Sequence, residues 1–158
     1  MATNLYETDF VAWTQEQAAE LRRLRDARIN TRLDLDLLAE EVEDLGSELR
    51  FAVRSHVARI IEHLLKIEYS PAHEPRYGWR RSVRNARDEV EQRMTPTVRR
   101  DVEKQLSKLF EKARRNVADS LEAYREHDAL DALPTLNPYS LDEILDPDFW
   151  PPEPQVPR

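Results

Sequence analysis

The sequence predicts an all-α fold: a four-helix antiparallel bundle, or a closely related helical arrangement, with a proline-rich C-terminal arm carrying one short helical turn. Three observations point there. Apolar residues recur at spacings of three and four as far as His127, with no strand-like alternation between them. The chain has only two glycines and 35% charged residues, which suits amphipathic helices with solvated outer faces. Seven of its ten prolines fall after residue 133, outside every stretch of helical periodicity. A chain of 158 residues needs no staples to hold a core. The expected organisation is one bundle domain, residues 1–133, with an arm, residues 134–158, packed on it and its end, Pro151 to Arg158, disordered.

The first helix is expected from Thr8 to about Arg28, where Phe10, Trp13, Leu21 and Leu24 share a helical spacing and Asp9 supplies a negative charge at the start. Ile29, Asn30 and Thr31 are poor helix formers and Asp34 is a good N-cap, so the chain turns between 29 and 33. The long element follows, Asp34 to Tyr69. Leu38, Val42, Leu45, Leu49, Val53, His56, Ile60, His63 and Ile67 fall in a sector about 80° wide, which predicts one continuous apolar stripe. Gly46 lies towards its edge and costs about 1 kcal/mol relative to alanine, so a close helix crossing is expected there, with a slight bend as the alternative.

SPAHEPRYG, residues 70–78, reads as a connection. Trp79, Val83, Ala86, Val90 and Met94 then define a third helix over 77–94. Thr95 before Pro96 is a start signal for a fourth helix, with Val98, Val102, Leu106, Leu109, Ala113, Val117 and Tyr124 on its apolar face and an end near His127. In the arm, Ser140 and Glu143 form a capping-box signature for a turn of helix at Leu141 to Leu145. Leu136, Tyr139, Ile144, Phe149 and Trp150 are too apolar for a free linker, and Phe149 and Trp150 are the candidate interface residues.

Function classes are narrowed by what the chain lacks. Without cysteine there is no disulfide, thiolate nucleophile or cysteine-held metal. No basic region followed by an apolar run opens the chain, and no stretch approaches the ~20 apolar residues of a membrane span, so a cytoplasmic protein is expected. Glycines at 46 and 78 cannot build a phosphate loop, and no G-x-S-x-G elbow exists. No catalytic residue, cofactor or metal is assigned.

Charge is segregated. Residues 1–75 carry 9 Lys and Arg against 15 Asp and Glu, residues 76–115 carry 13 against 6, and residues 116–158 carry 2 against 10. The net charge of −7 therefore hides a basic middle between acidic ends. Glu40, Glu41, Asp44 and Glu48 meet on one side of the long helix, a start for a metal or acid–base site. Such spacing is also common on exposed faces, and Arg80, Arg84 and Arg87 offer counter-ions. His56 and His63 are seven residues apart, about 10.5 Å along a helix, too far to share one ion easily. The Glu-x-x-His pattern of di-iron bundles is absent. Lys104, Lys108 and Lys112 form a cationic row that could follow a phosphate backbone, without any accompanying nucleic-acid signature.

Five blocks carry a family resemblance: LYETDFVAWTQEQAAELR (Leu5 to Arg22), LDLDLLAEEVEDLG (Leu33 to Gly46), HLLKIEYSP (His63 to Pro71), Trp79 through Arg87, and YSLDEILDPDFWP (Tyr139 to Pro151). In that order they resemble the bacterial domain-of-unknown-function family 29. The resemblance implies an all-helical cytosolic bacterial protein with no established activity, and it gives weight to Glu40, Glu41, Asp44, His63, Trp79 and Arg87. Two departures stand out: Ile67 where relatives often have an aromatic, and Asn137-Pro138 where they often have Cys-Pro. A thiol function cannot apply here.

The leading expectation is a non-enzymatic protein–protein interaction or assembly module, acting on an unidentified protein partner or as a homo-oligomer, with no membrane partner. One alternative is a metal-binding protein or enzyme using the acidic flank with His63. Another is nucleic-acid binding through residues 76–115. Arg87 is expected to pair with Glu41 or Asp44 and fix the helix register.

Overall fold

The computed structural model describes residues 4–154, and among them there is no strand. The elements are α1 (Leu5–Thr8), α2 (Phe10–Asp26), α3 (Leu35–Tyr69), α4 (Arg76–Arg93), α5 (Pro96–Ala123), α6 (His127–Ala132) and α7 (Leu141–Leu145). No helix among the described residues is long and apolar enough to cross a membrane. The chain divides into two compact units, Met1–Val53 with Arg93–Val102, and Arg54–Gln92 with Glu103–Arg158. α3 and α5 each supply a segment to both. The expected disorder at the chain end falls largely on residues 155–158, which lie outside the described residues; Pro151 is buried and Glu153 is ion-paired to Arg80.

In the first unit the expected single N-terminal helix is two, broken at Asp9. The Asp9 side chain is buried, with Oδ1 accepting from the Ala12 amide at 3.1 Å and Oδ2 from the Thr97 amide at 2.9 Å. Burial pushes this carboxyl's pKa up, but the donors outweigh it and hold the group below the usual carboxylate value. One carboxylate thus caps α2 and satisfies a free amide in the first turn of α5. α2 and α3 run antiparallel: Arg25 pairs with Asp36, Arg22 clamps Glu43 through two bonds at 2.8 and 2.7 Å, and Thr14 lies against Gly46. A β-carbon at Gly46 would lie 2.3 Å from Thr14 Oγ1, so this is the close crossing that the glycine predicts.

That crossing also corrects the expected stripe. Leu38 and Leu45, placed in the core from sequence, are 38% and 50% exposed, while Leu35, Ala39, Gly46 and Val53 are buried. At the Thr14 contact the position turned to α2 is Gly46, because a side chain there would block the approach.

In the second unit α3 buries Val57, Ala58, Ile60, Ile61, Leu64, Leu65 and Ile67. Val83 and Val90 of α4, Phe110 and Val117 of α5, and Leu141 and Ile144 of α7 complete this unit's apolar interior. α5 stops four residues earlier than expected. Arg125 takes a left-handed conformation (φ 58°) and the Glu126 amide donates to the Leu121 carbonyl at 2.8 Å, a helix stop built without glycine. Tyr124, expected on the apolar face, is therefore 77% exposed. The capping box at Ser140 and Glu143 forms as its sequence predicts.

Candidate functional site

Val83, Ala86 and Val90 turn one face of α4 inward, and Arg87 is carried in with them. Its side chain is 4% exposed. Nε donates to the Ile144 carbonyl at 2.9 Å, and Nη2 to the carbonyls of Phe149 at 3.0 Å and Glu143 at 3.3 Å; Nη1 is buried without a partner. Burial pulls the guanidinium down to a pKa of about 10, opposed by the charge of Asp146. The sequence expectation gives the Arg87 donors to Glu41 or Asp44; within the second unit they go to backbone carbonyls instead. The last carbonyls of a helix have no donor of their own, and α7 recruits Arg87 for two of them.

Around this contact Trp150 is half-buried beneath three guanidiniums, with Arg80, Arg87 and Arg84 at 4.8, 5.0 and 5.5 Å from its ring centroid. Arg80 also pairs with Glu153 at 2.6 Å, a partner from the C-terminal arm within its own unit. Phe149 is half-buried, its ring edge-on to Tyr139 at 6.1 Å, and the Tyr139 hydroxyl donates to Glu68. Burial first, and the Glu68 carboxylate second, push the Tyr139 phenol's pKa up. Of the residues singled out from sequence, the structure brings together Arg87, Phe149 and Trp150. Arg76 was missed: buried, it donates to the carbonyls of Ile67 and Ser70 at the end of α3. Its one sequence signal is its place just after Pro75 at the start of α4, which carries no indication of burial.

Glu40, Glu41 and Asp44 share the outer side of α3 in the first unit, where all three are exposed and, among the described residues, none forms an ion pair. Glu48 is exposed on the same helix. Arg22 and Arg25 of α2 pair with Glu43 and the exposed Asp36 instead. His63 is half-buried, with Nδ1 3.0 Å from the Arg59 carbonyl oxygen, and burial lowers its pKa below the ordinary value. Among the described residues no group of three or more His, Asp or Glu could hold a metal ion. Lys104, Lys108 and Lys112 are exposed along α5.

Trp79, from the first turn of α4, lines a cleft of about 570 Å3 with Lys66, Ser70, Glu74, Tyr124 and Glu126 among its walls. Sequence reading singled out only Trp79 of these. The others come from the end of α3, the 70–75 connection and the end of α5, and no spacing in the chain links them.

No curated protein matches the chain. Its fold is similar to the crystal structure of an alpha-helical protein of unknown function from Rhodospirillum rubrum ATCC 11170, with 28% identity, a TM-score of 0.76, and coverage of 93% of this chain and 92% of that one. Residues 5–150 match the family described as "Domain of unknown function DUF29", and the chain, sharing its ordered blocks from Leu5 to Trp150, belongs to that family.

Proposed function

We propose that this chain is a protein-interaction module, and that the outer side of the N-terminal half of α3 docks a basic amphipathic helix. One observation carries the reading. Leu38, Val42, Leu45, Leu49 and Ala52 follow a four-three spacing, the seam of a two-helix coiled coil, yet Leu38 and Leu45 are exposed and the other three only half-buried. Over these 15 residues the seam is about 21 Å long.

The charge beside the seam selects the occupant. Glu41 and Glu48 sit one helical turn from Leu45 on its outer flank, Glu40 and Asp44 lie beyond them, and all four are exposed. A second copy of the chain would bring the same carboxylates, whereas a helix with lysine or arginine beside its apolar line complements them. The test is a photo-crosslinking residue at Leu45 of the full chain in the native host, with mass-spectrometric mapping of the segment captured. A basic segment with apolar residues at three-four spacing, lost in the Glu41→Lys/Glu48→Lys variant, is the expected result. Capture of the same helix from a second copy, or of no defined segment, overturns the proposal.

A further inference from the structure

We infer that the cleft at Trp79 is a binding site for a small organic cation, of the substituted-ammonium class. At about 570 Å3 it falls within the range of small-molecule pockets. Its walls combine two aromatic side chains, Trp79 and Tyr124, with two carboxylates, Glu74 and Glu126. The negative face of an indole attracts a cation that sheds part of its water, and a nearby carboxylate supplies the counter-charge.

The remaining charge in the wall does not cancel this. Lys66 is held by Glu62 at 3.0 Å, and Glu62 is held on its other oxygen by Asn116 at 3.3 Å. Neither Glu74 nor Glu126 has an ion-pair partner among the described residues. Glu126 is oriented rather than free: the Ser70 hydroxyl donates to its Oε2 at 2.9 Å, and the left-handed stop at Arg125 sets its backbone. Ser70 is fixed in turn by the Ala72 amide, which donates to its hydroxyl oxygen at 3.2 Å. The cleft thus presents an indole, a carboxylate with a fixed position, and no unpaired cation in its wall.

The experiment titrates the full chain with choline and with tetramethylammonium, followed by calorimetry and by saturation-transfer NMR. Saturable binding is expected, weakened about tenfold by Trp79→Leu and by Glu126→Gln, the magnitude of one lost cation–aromatic or charge contact. Tyr124→Leu, at an exposed side chain that leaves the fold intact, is expected to weaken binding several-fold and serves if either other variant fails to fold. Absence of saturable binding, equal affinity in wild type and all folded variants, or preferential binding of inorganic phosphate through Lys66 overturns the inference.

Discussion

The two halves of α3 are about equally apolar, with roughly half of the residues in each hydrophobic, and they meet opposite fates. From 35 to 53 the helix buries Leu35, Ala39, Gly46 and Val53, a strip about 40° wide, and leaves Leu37, Leu38, Leu45 and Phe51 exposed. From 54 to 69 it buries seven residues spread over about 180°. The difference teaches that hydrophobic periodicity measures how much contact a helix can make, not how much its own chain provides. Where a neighbour packs closely on a glycine, the large side chains to one side are left over for something else.

Truncating one leucine in each half puts the largest number on that contrast. Leu64 is fully buried, and Leu64→Ala should lower unfolding free energy by about 3 kcal/mol in a denaturant titration, through lost transfer energy and the cavity left behind. Leu45→Ala should change it by less than about 0.5 kcal/mol. Similar costs at the two positions would mean that the N-terminal half is covered in solution.

Arg87→Met sharpens the contrast from the side of the polar groups in the second unit. It takes the donors from three carbonyls, of which Ile144 is fully buried, but also removes a charge held out of water. A net loss of about 2 kcal/mol is expected. Arg87→Lys should recover only part of it, since one ammonium cannot reproduce the planar fork; full recovery would show that charge near Trp150, not the fork, is what matters.

Next in size is the glycine pair. Gly46→Ala should cost about 1–2 kcal/mol despite alanine's better helix propensity, because its β-carbon meets the buried Thr14 side chain. The cost should largely vanish in a Thr14→Ala background, where the nearest clashing oxygen is gone. Gly78, with nothing within 4 Å of its would-be β-carbon, should instead gain up to about 1 kcal/mol on conversion to alanine. A cost at both sites would refute the close α2–α3 crossing as the reason for Gly46.

Much of this architecture is legible in the sequence because helix signals are local. The start at Thr95-Pro96, the box at Ser140 and Glu143, and the three-four spacing of α4 depend on residues within one or two turns of each other. The break at Asp9 is less visible, since half of its purpose is an amide 88 residues away at Thr97. Arg125 hides a helix stop because arginine takes the left-handed conformation that glycine would announce. In the N-terminal half of α3 the buried side differs by about one ridge from the expected stripe: volume points to Leu38 and Leu45, whereas Ala39 and Gly46 are buried and the approach of α2 requires glycine at 46. At the candidate sites, Arg87 and Trp150 were recognisable as residues, but their partners are backbone carbonyls and cation–aromatic contacts, which carry no sequence spacing at all.

The smallest effect expected separates the two halves by pH. His63 lies in the densely buried half, and desolvation lowers its pKa below 6.5, against the charge of Glu62 and the hydrogen bond to Arg59 that favour the cation. A histidine with a depressed folded pKa contributes stability that is complete above its unfolded value and is lost as pH falls through the folded one. The melting temperature should therefore begin to decline below about pH 6.5, and His63→Gln should flatten that part of the profile. In the other half the hydrogen bonds from Arg22 hold Glu43 below its ordinary 4.5, so its contribution is present above that pH and fades only on further acidification. Glu43→Gln should leave the region around pH 6 unchanged and alter the profile below about 4.5, a small change because the pair is partly exposed. If His63→Gln shifts only the low-pH limb, the half-buried imidazole is not what couples the C-terminal half of α3 to acid.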